Sequence, residues 1–141
     1  MPIEPAKLTK IEAHCDTIED CYEFTLSYAA KGLATDADND LGRQLREKLA
    51  RAVDAMRSLE PACAADLSDL RLTPAEKYEA FFALLMRDAQ NSIVIVELVL
   101  AQPVISSQLI DNLNASIHLR ALLTDLFVVT EILATRKPVT A

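Results

Sequence analysis

Two glycines, Gly32 and Gly42, serve a chain of 141 residues. That scarcity is the strongest limit on its fold. Tight hairpins need backbone with positive φ, which glycine accepts at least cost, so a protein of many strands and turns is excluded. The six prolines do the rest. Proline breaks a helix interior but suits a helix's first turn. At positions 2, 5, 61, 74, 103 and 138 they cut the chain into helix-sized lengths. An all-α fold is expected.

Apolar periodicity places the helices. Leu8, Ile11, Cys15, Ile18, Tyr22, Thr25 and Ala29 recur at three- and four-residue steps, which predicts a helix over about residues 6–31. Gly32 is a left-handed stop for it. A polar loop, Ala34 to Asp40, follows. Leu41, Leu45, Leu49, Val53, Met56 and Leu59 predict a second helix over about 41–59, capped by Asp36 or Asp40. Residues 62–70 read as a short helical connector. Thr73-Pro74-Ala75-Glu76 has the form of a capping box, with proline at the first helical position. It opens a helix over about 74–101, with Tyr78, Phe81, Phe82, Leu85, Ala89, Ile93, Val96 and Leu100 on its stripe. The β-branched run Ile93 to Val96 would also suit a buried strand, but no glycine-rich turns accompany it. After Pro103 a last helix is expected over about 106–136. The whole, 1–141, reads as a single helical domain. Short links favour antiparallel neighbours, so the expected architecture is an up-down four-helix bundle with a short helical connector.

Composition narrows the function classes. Fifty-one per cent apolar and 25 % charged residues are ordinary globular proportions, which excludes a disordered chain. Fourteen basic residues against 21 acidic give a net charge of −7, which repels nucleic acid. Three cysteines are too few, and odd in number, for a disulfide scaffold. The N-terminus shows no basic stretch leading into an apolar one. The strongest apolar run, Ile93 to Leu100, is far shorter than the roughly 20 residues of a membrane span. The expected setting is cytoplasmic and away from membranes, with reduced thiols.

The helices carry more apolar surface than one buried stripe needs. Leu119, Leu122, Leu126, Val129 and Leu133 share a face of the last helix, while Ile117, Leu123, Phe127, Val128 and Ile132 point elsewhere. The 93–100 stretch is similarly broad. Such a surplus predicts a homodimer joined through the last helix and residues 93–100.

Chemistry-bearing residues are sparse. Asp111, Asn114, His118 and Asp125 fall on one helical line, where an imidazole beside a carboxylate suits ligand binding or base catalysis. Glu97 stands inside an apolar run and needs either solvent or a cation, from Arg87, Arg120 or a second copy. Glu97, Asn114, His118 and Asp125 are therefore the candidate ligand-binding residues. His14 and Cys21 share a face of the first helix and form a two-ligand metal candidate. Cys15 lies about 100° round that helix from His14, and Cys63 is on the connector. The loop Asp36 to Asp40 lacks the central glycine and closing glutamate of a calcium loop. No phosphate loop, Cys-x-x-Cys pair, nucleophile elbow or Glu-x-x-His pair occurs, so no catalytic residue and no cofactor is expected. The leading expectation is a helical interaction protein, an adaptor, regulator or assembly factor. A small-molecule or metal-binding bundle comes second, and an enzyme using His118 as a base third.

Overall fold

A computed structural model describes residues 8–136. These form six α-helices and no strand: α1 (Lys10–Ala30), α2 (Asp40–Arg57), α3 (Leu59–Asp69), α4 (Ala75–Leu100), α5 (Ser107–Asn114) and α6 (Ile117–Ala134). The 93–96 run is helical throughout. α1 packs mainly on α2 and α5, and α4 on α6 and α2. The start of α4 and the end of α6 meet, with Tyr78 and Phe81 against Ile132 and Arg136, so these two helices run antiparallel.

Local chemistry explains the helix ends. The Thr9 hydroxyl accepts a hydrogen bond from the Glu12 N–H and caps α1. A second cap comes from 56 residues away, where both Asp66 carboxylate oxygens accept from the Lys10 and Ile11 N–H groups. Gly32 ends the region with φ 65°, the left-handed geometry its position demands. Asn39, rather than either expected aspartate, caps α2 through the Gly42 N–H at 2.6 Å.

Asp36 and Arg46 form a clasp between the α1–α2 region and the segment from α4 to α5. Asp36 Oδ1 accepts from the Ile105 N–H at 2.7 Å, and Oδ2 accepts from Arg46 Nε. The same guanidinium donates to the carbonyls of Leu100 and Gln102 at 3.1 and 3.0 Å, so it caps the C-terminal end of α4. Beside it, the Tyr28 hydroxyl donates to the Ile105 carbonyl, and the Ser107 hydroxyl donates to the Tyr28 carbonyl. The loop after α1 is thereby stitched to the loop after α4. The Arg46 guanidinium holds the Asp36 carboxyl below its ordinary value of 3.8. Its stabilising share is therefore present above that value and is lost as acid protonates it.

Three expectations need correction. The expected helix over 106–136 is two helices, because Ser116 takes ψ 125° and ends the helical path between Asn114 and Ile117. The turn lets α5 pack on α1 while α6 packs on α4. The connector expected over 62–70 begins earlier, at Leu59, so Pro61 sits in the first turn of α3, where a missing N–H costs nothing. The connector is thus a full helix, set off from α2 by Ser58 alone. The capping box at Thr73 does not form, since Pro74 is itself the residue before α4 and offers no side-chain cap. Residues 6 and 7, the expected start of the first helix, lie outside the described residues.

Gly42 has a defined steric role. A Cβ there would stand 1.9 Å from the Asp36 carbonyl oxygen, so the loop bearing the clasp rests directly on the bare glycine. Gly42→Ala should cost about 1–3 kcal/mol, the usual penalty of overpacking, and lower the thermal midpoint. An unchanged midpoint in a calorimetric melt would show that the loop yields without cost.

Candidate functional site

The broken last helix redistributes the residues that shared one helical line in the sequence. Asp111 and Asn114 belong to α5, and His118 and Asp125 to α6. Asn114 is buried and turned to α1, where its Nδ2 donates to the Thr25 carbonyl at 3.1 Å. Its Oδ1 is buried and has no hydrogen-bond partner. His118 is exposed in the first turn of α6. Glu97 does find a cation, though not one of those proposed: Arg57 of α2 donates to it at 2.8 Å. Both partners of that pair are about half exposed, so it is worth at most about 1 kcal/mol. Glu97 therefore lies where α4 meets α2, while Asp125 lies on α6 where that helix meets α4.

The His14 and Cys21 pair stays on one helix. His14 is half-buried, while Cys21 is buried. Burial, helped by Asp20 and opposed by Lys48, pushes the Cys21 thiol up to about 12. At neutral pH it is a protonated thiol, whereas metals bind the thiolate. Among the described residues no three His, Cys, Asp or Glu side chains are grouped to hold a metal ion. Cys21 helps line a small void with Ile18, Thr25, Leu49, Met56 and Val96. At about 10 Å³ this void has room for one water at most. Cys15 and Cys63 are likewise buried, and burial raises both thiols, to about 11 and about 12.

The chemistry of the molecule concentrates instead at the seam between α4 and α6. There Asp125 faces Asp88, a residue that motif reasoning passed over. Both side chains are half-buried. Asp125 Oδ2 is sealed from solvent and accepts no hydrogen bond. Two carboxylates have no proton to offer each other, so the hydrogen bond between them exists only when one is protonated. Desolvation, then the hydrogen bond and the charge of Asp88, push Asp125 from 3.8 up to about 7. None of the four ion pairs among the described residues involves either aspartate. Asp88 had a signal in the sequence. Seven residues to either side of it stand Phe81 and Ile95, both half-buried, so it occupies a core-edge position of α4.

The outer side of this seam carries apolar side chains, with the exposed Arg87, Asn91 and Thr124 set among them. Leu84 and Asn91 lie one turn before and after Asp88, and Ala121 and Val128 one turn before and after Asp125. Seven of the ten exposed large apolar side chains among the described residues belong to these two helices: Leu84, Val94, Leu98, Ile117, Phe127, Val128 and Ile132. By helical spacing five of them fall on the outer side of the seam, whereas Val94 lies nearer the Glu97 edge and Phe127 lies toward α1. At one end the seam opens into a cleft of about 310 Å³ between Pro74, Tyr78, Phe81 and Ile132, with Lys77 and Arg136 at its rim. No helix among the described residues is long and apolar enough to cross a membrane.

Comparison of the chain with protein-family models, with curated proteins and with solved structures finds no match in any of the three.

The Asp88–Asp125 pair gives a test on stability. A raised carboxyl value means the native state holds a proton that the unfolded chain would release. Its stability is full below 3.8, falls as pH climbs, and is lost once pH passes about 7. Asp125→Asn keeps the shape, needs no proton and can donate to Asp88. It should raise the thermal midpoint at pH 8 by a few degrees and flatten the decline between pH 5 and 8. A variant that melts below wild type at pH 8 would mean the charge is accommodated.

Proposed function

We propose that this chain is a helical interaction module that works by self-association, through the face formed by α4 and α6. The observation that carries the reading is a set of five exposed apolar side chains, from Leu84 and Leu98 to Ile117, Val128 and Ile132, which helical spacing puts on the outer side of one seam. Contiguous apolar surface of this kind favours association over solvation. A second copy is the occupant this face suits best. An isologous contact needs a patch complementary to itself, and an apolar patch meets that condition without a matching set of charges. The chain's net charge of −7 disfavours contact between copies over most of the surface, which leaves the face bearing these apolar side chains as the place to join.

Size is consistent with this reading. The 18 residues of α6 extend about 27 Å, and two helices side by side span about 20 Å. That rectangle, about 500 Å² before side-chain relief, is of the order of the roughly 800 Å² per partner in a specific interface. The finer architecture belongs to the same proposal: the long helices α1, α2, α4 and α6 make an up-down four-helix core, and α4 and α6 of two copies stack across a two-fold axis. In this reading the chain acts as an adaptor, regulator or assembly factor, and catalysis is not its role.

Native mass spectrometry and sedimentation test it. The wild type should run at twice the 15.5 kDa chain mass at tens of micromolar and pH 6. Leu98→Lys and Val128→Lys change side chains already about half exposed or more, so both variants should fold normally by circular dichroism. Each should weaken association at least about tenfold, because every copy brings a buried, unpaired ammonium to the contact. A wild-type monomer at that concentration and pH, or variants that associate like wild type, would overturn the reading.

A further inference from the structure

We infer that Asp88 and Asp125 share a proton across the α4/α6 seam, and that this proton decides whether the face above them joins a second copy. The inference rests on the self-association reading and adds its control. With the pair protonated, the two faces stack. With both carboxyls charged, they stay apart.

The geometry supplies the reason. The pair lies in the floor of the apolar face, flanked one turn away in each direction by Leu84, Asn91, Ala121 and Val128. Anything that covers those residues also covers the two aspartates and removes the water still reaching them. Asp125 Oδ2 is already sealed and has no donor. Deepening that burial with two negative charges in place would be costly, since neither can pair with the other. One shared proton removes a charge and creates the missing hydrogen bond at the same moment. A two-fold contact would bring the aspartate pairs of both copies under one interface, so the dimer takes up to two protons, one for each copy.

No neighbour offers another way to neutralise the pair. On α4 the adjacent Arg87 is exposed and makes no ion pair. On α6 the exposed His118 and Glu131 are the other ionisable groups nearest Asp125 in sequence, apart from Arg120. α1 meets α6 along its other edge, where Cys15 lies by Thr130 with Glu12, Asp16 and Glu19 around it. α2 meets α4 on the edge where Arg57 holds Glu97. α3 brings Asp66, which is occupied with the start of α1, and α5 brings the exposed Asp111. None of these groups contributes to the electrostatics of Asp125, which Asp88 alone among charged groups sets.

The experiment is sedimentation equilibrium of the full chain at pH 6, 7 and 8, with Asp125→Asn, Asp88→Asn and His118→Gln measured alongside. The wild-type dimer should tighten at least about tenfold from pH 8 to pH 6, as linkage to proton uptake requires. Either asparagine variant should associate at pH 8 as wild type does at pH 6, with little dependence on pH. Circular dichroism confirms that each is folded, and either one alone suffices. His118→Gln should keep the wild-type slope. A wild-type dimer of equal strength at all three pH values would overturn this inference and leave self-association standing. So would an asparagine pair of variants that keep the full slope, or a slope lost in His118→Gln. A chain that is monomeric at every pH, in every variant, would overturn both.

Discussion

Most of the fold hangs on one arginine. Arg46 holds the Asp36 carboxylate with its Nε and the last carbonyls of α4 with its two amino groups. Asp36 in turn holds the Ile105 N–H. Two stretches far apart in sequence meet on this one ion pair: the loop after α1 with the first turns of α2, and the end of α4 with the entry to α5. Chains of helices have few long-range hydrogen bonds, because the backbone satisfies itself within each helix. The clasp provides them at one end of the molecule. It fixes where α4 stops, and so where α5 and α6 begin.

Asp66 does the corresponding work for the start of α1. The first N–H groups of a helix have no partner within it, and here a side chain from α3 satisfies two of them. Its negative charge also complements the positive end of the helix dipole. These two aspartates are buried and satisfied, each by backbone N–H groups and one also by a guanidinium. Asp125 is the contrast. It is partly buried, lies among apolar side chains and faces another carboxyl. The molecule thus treats buried acid groups in two ways, and only the seam pair is left with a charge it cannot place.

Much of the fold was legible in the sequence, and the reason is periodicity. Ile11, Cys15 and Ile18 of α1, then Leu45, Leu49 and Met56 of α2, fall into the core where their spacing puts them. The all-helical class follows from that spacing and from the scarcity of glycine. What failed were local signals that tertiary contacts overrule. Thr73 has the residues of a capping box around it, yet Pro74 takes the cap position. The break at Ser116 has no proline or glycine to announce it, because the distinct packing partners of α5 and α6 produce it. Of the ligand candidates, Asp125 alone meets another acid group. Asp88 escaped because its partner lies 37 positions away, on a helix whose orientation the sequence does not state. Its place between Phe81 and Ile95 at heptad spacing was the available clue.

A face meant to join permanently has a simpler chemistry open to it. Apolar residues of similar size at 88 and 125 would pack the seam and remove the desolvation cost, and such replacements of buried charged groups are often stabilising. Two carboxyls at those positions weaken the seam at neutral pH and make its state depend on a proton. The exposed residues on their side of the two helices, Leu84, Leu98, Val128 and Ile132, pull the other way by favouring burial. Opposed terms of similar size are what a conditional contact requires, because a small change in one of them then decides the outcome. That balance, held between an apolar rim and an acidic floor on the same two helices, is the physical basis for reading α4 and α6 as a surface whose association can be switched.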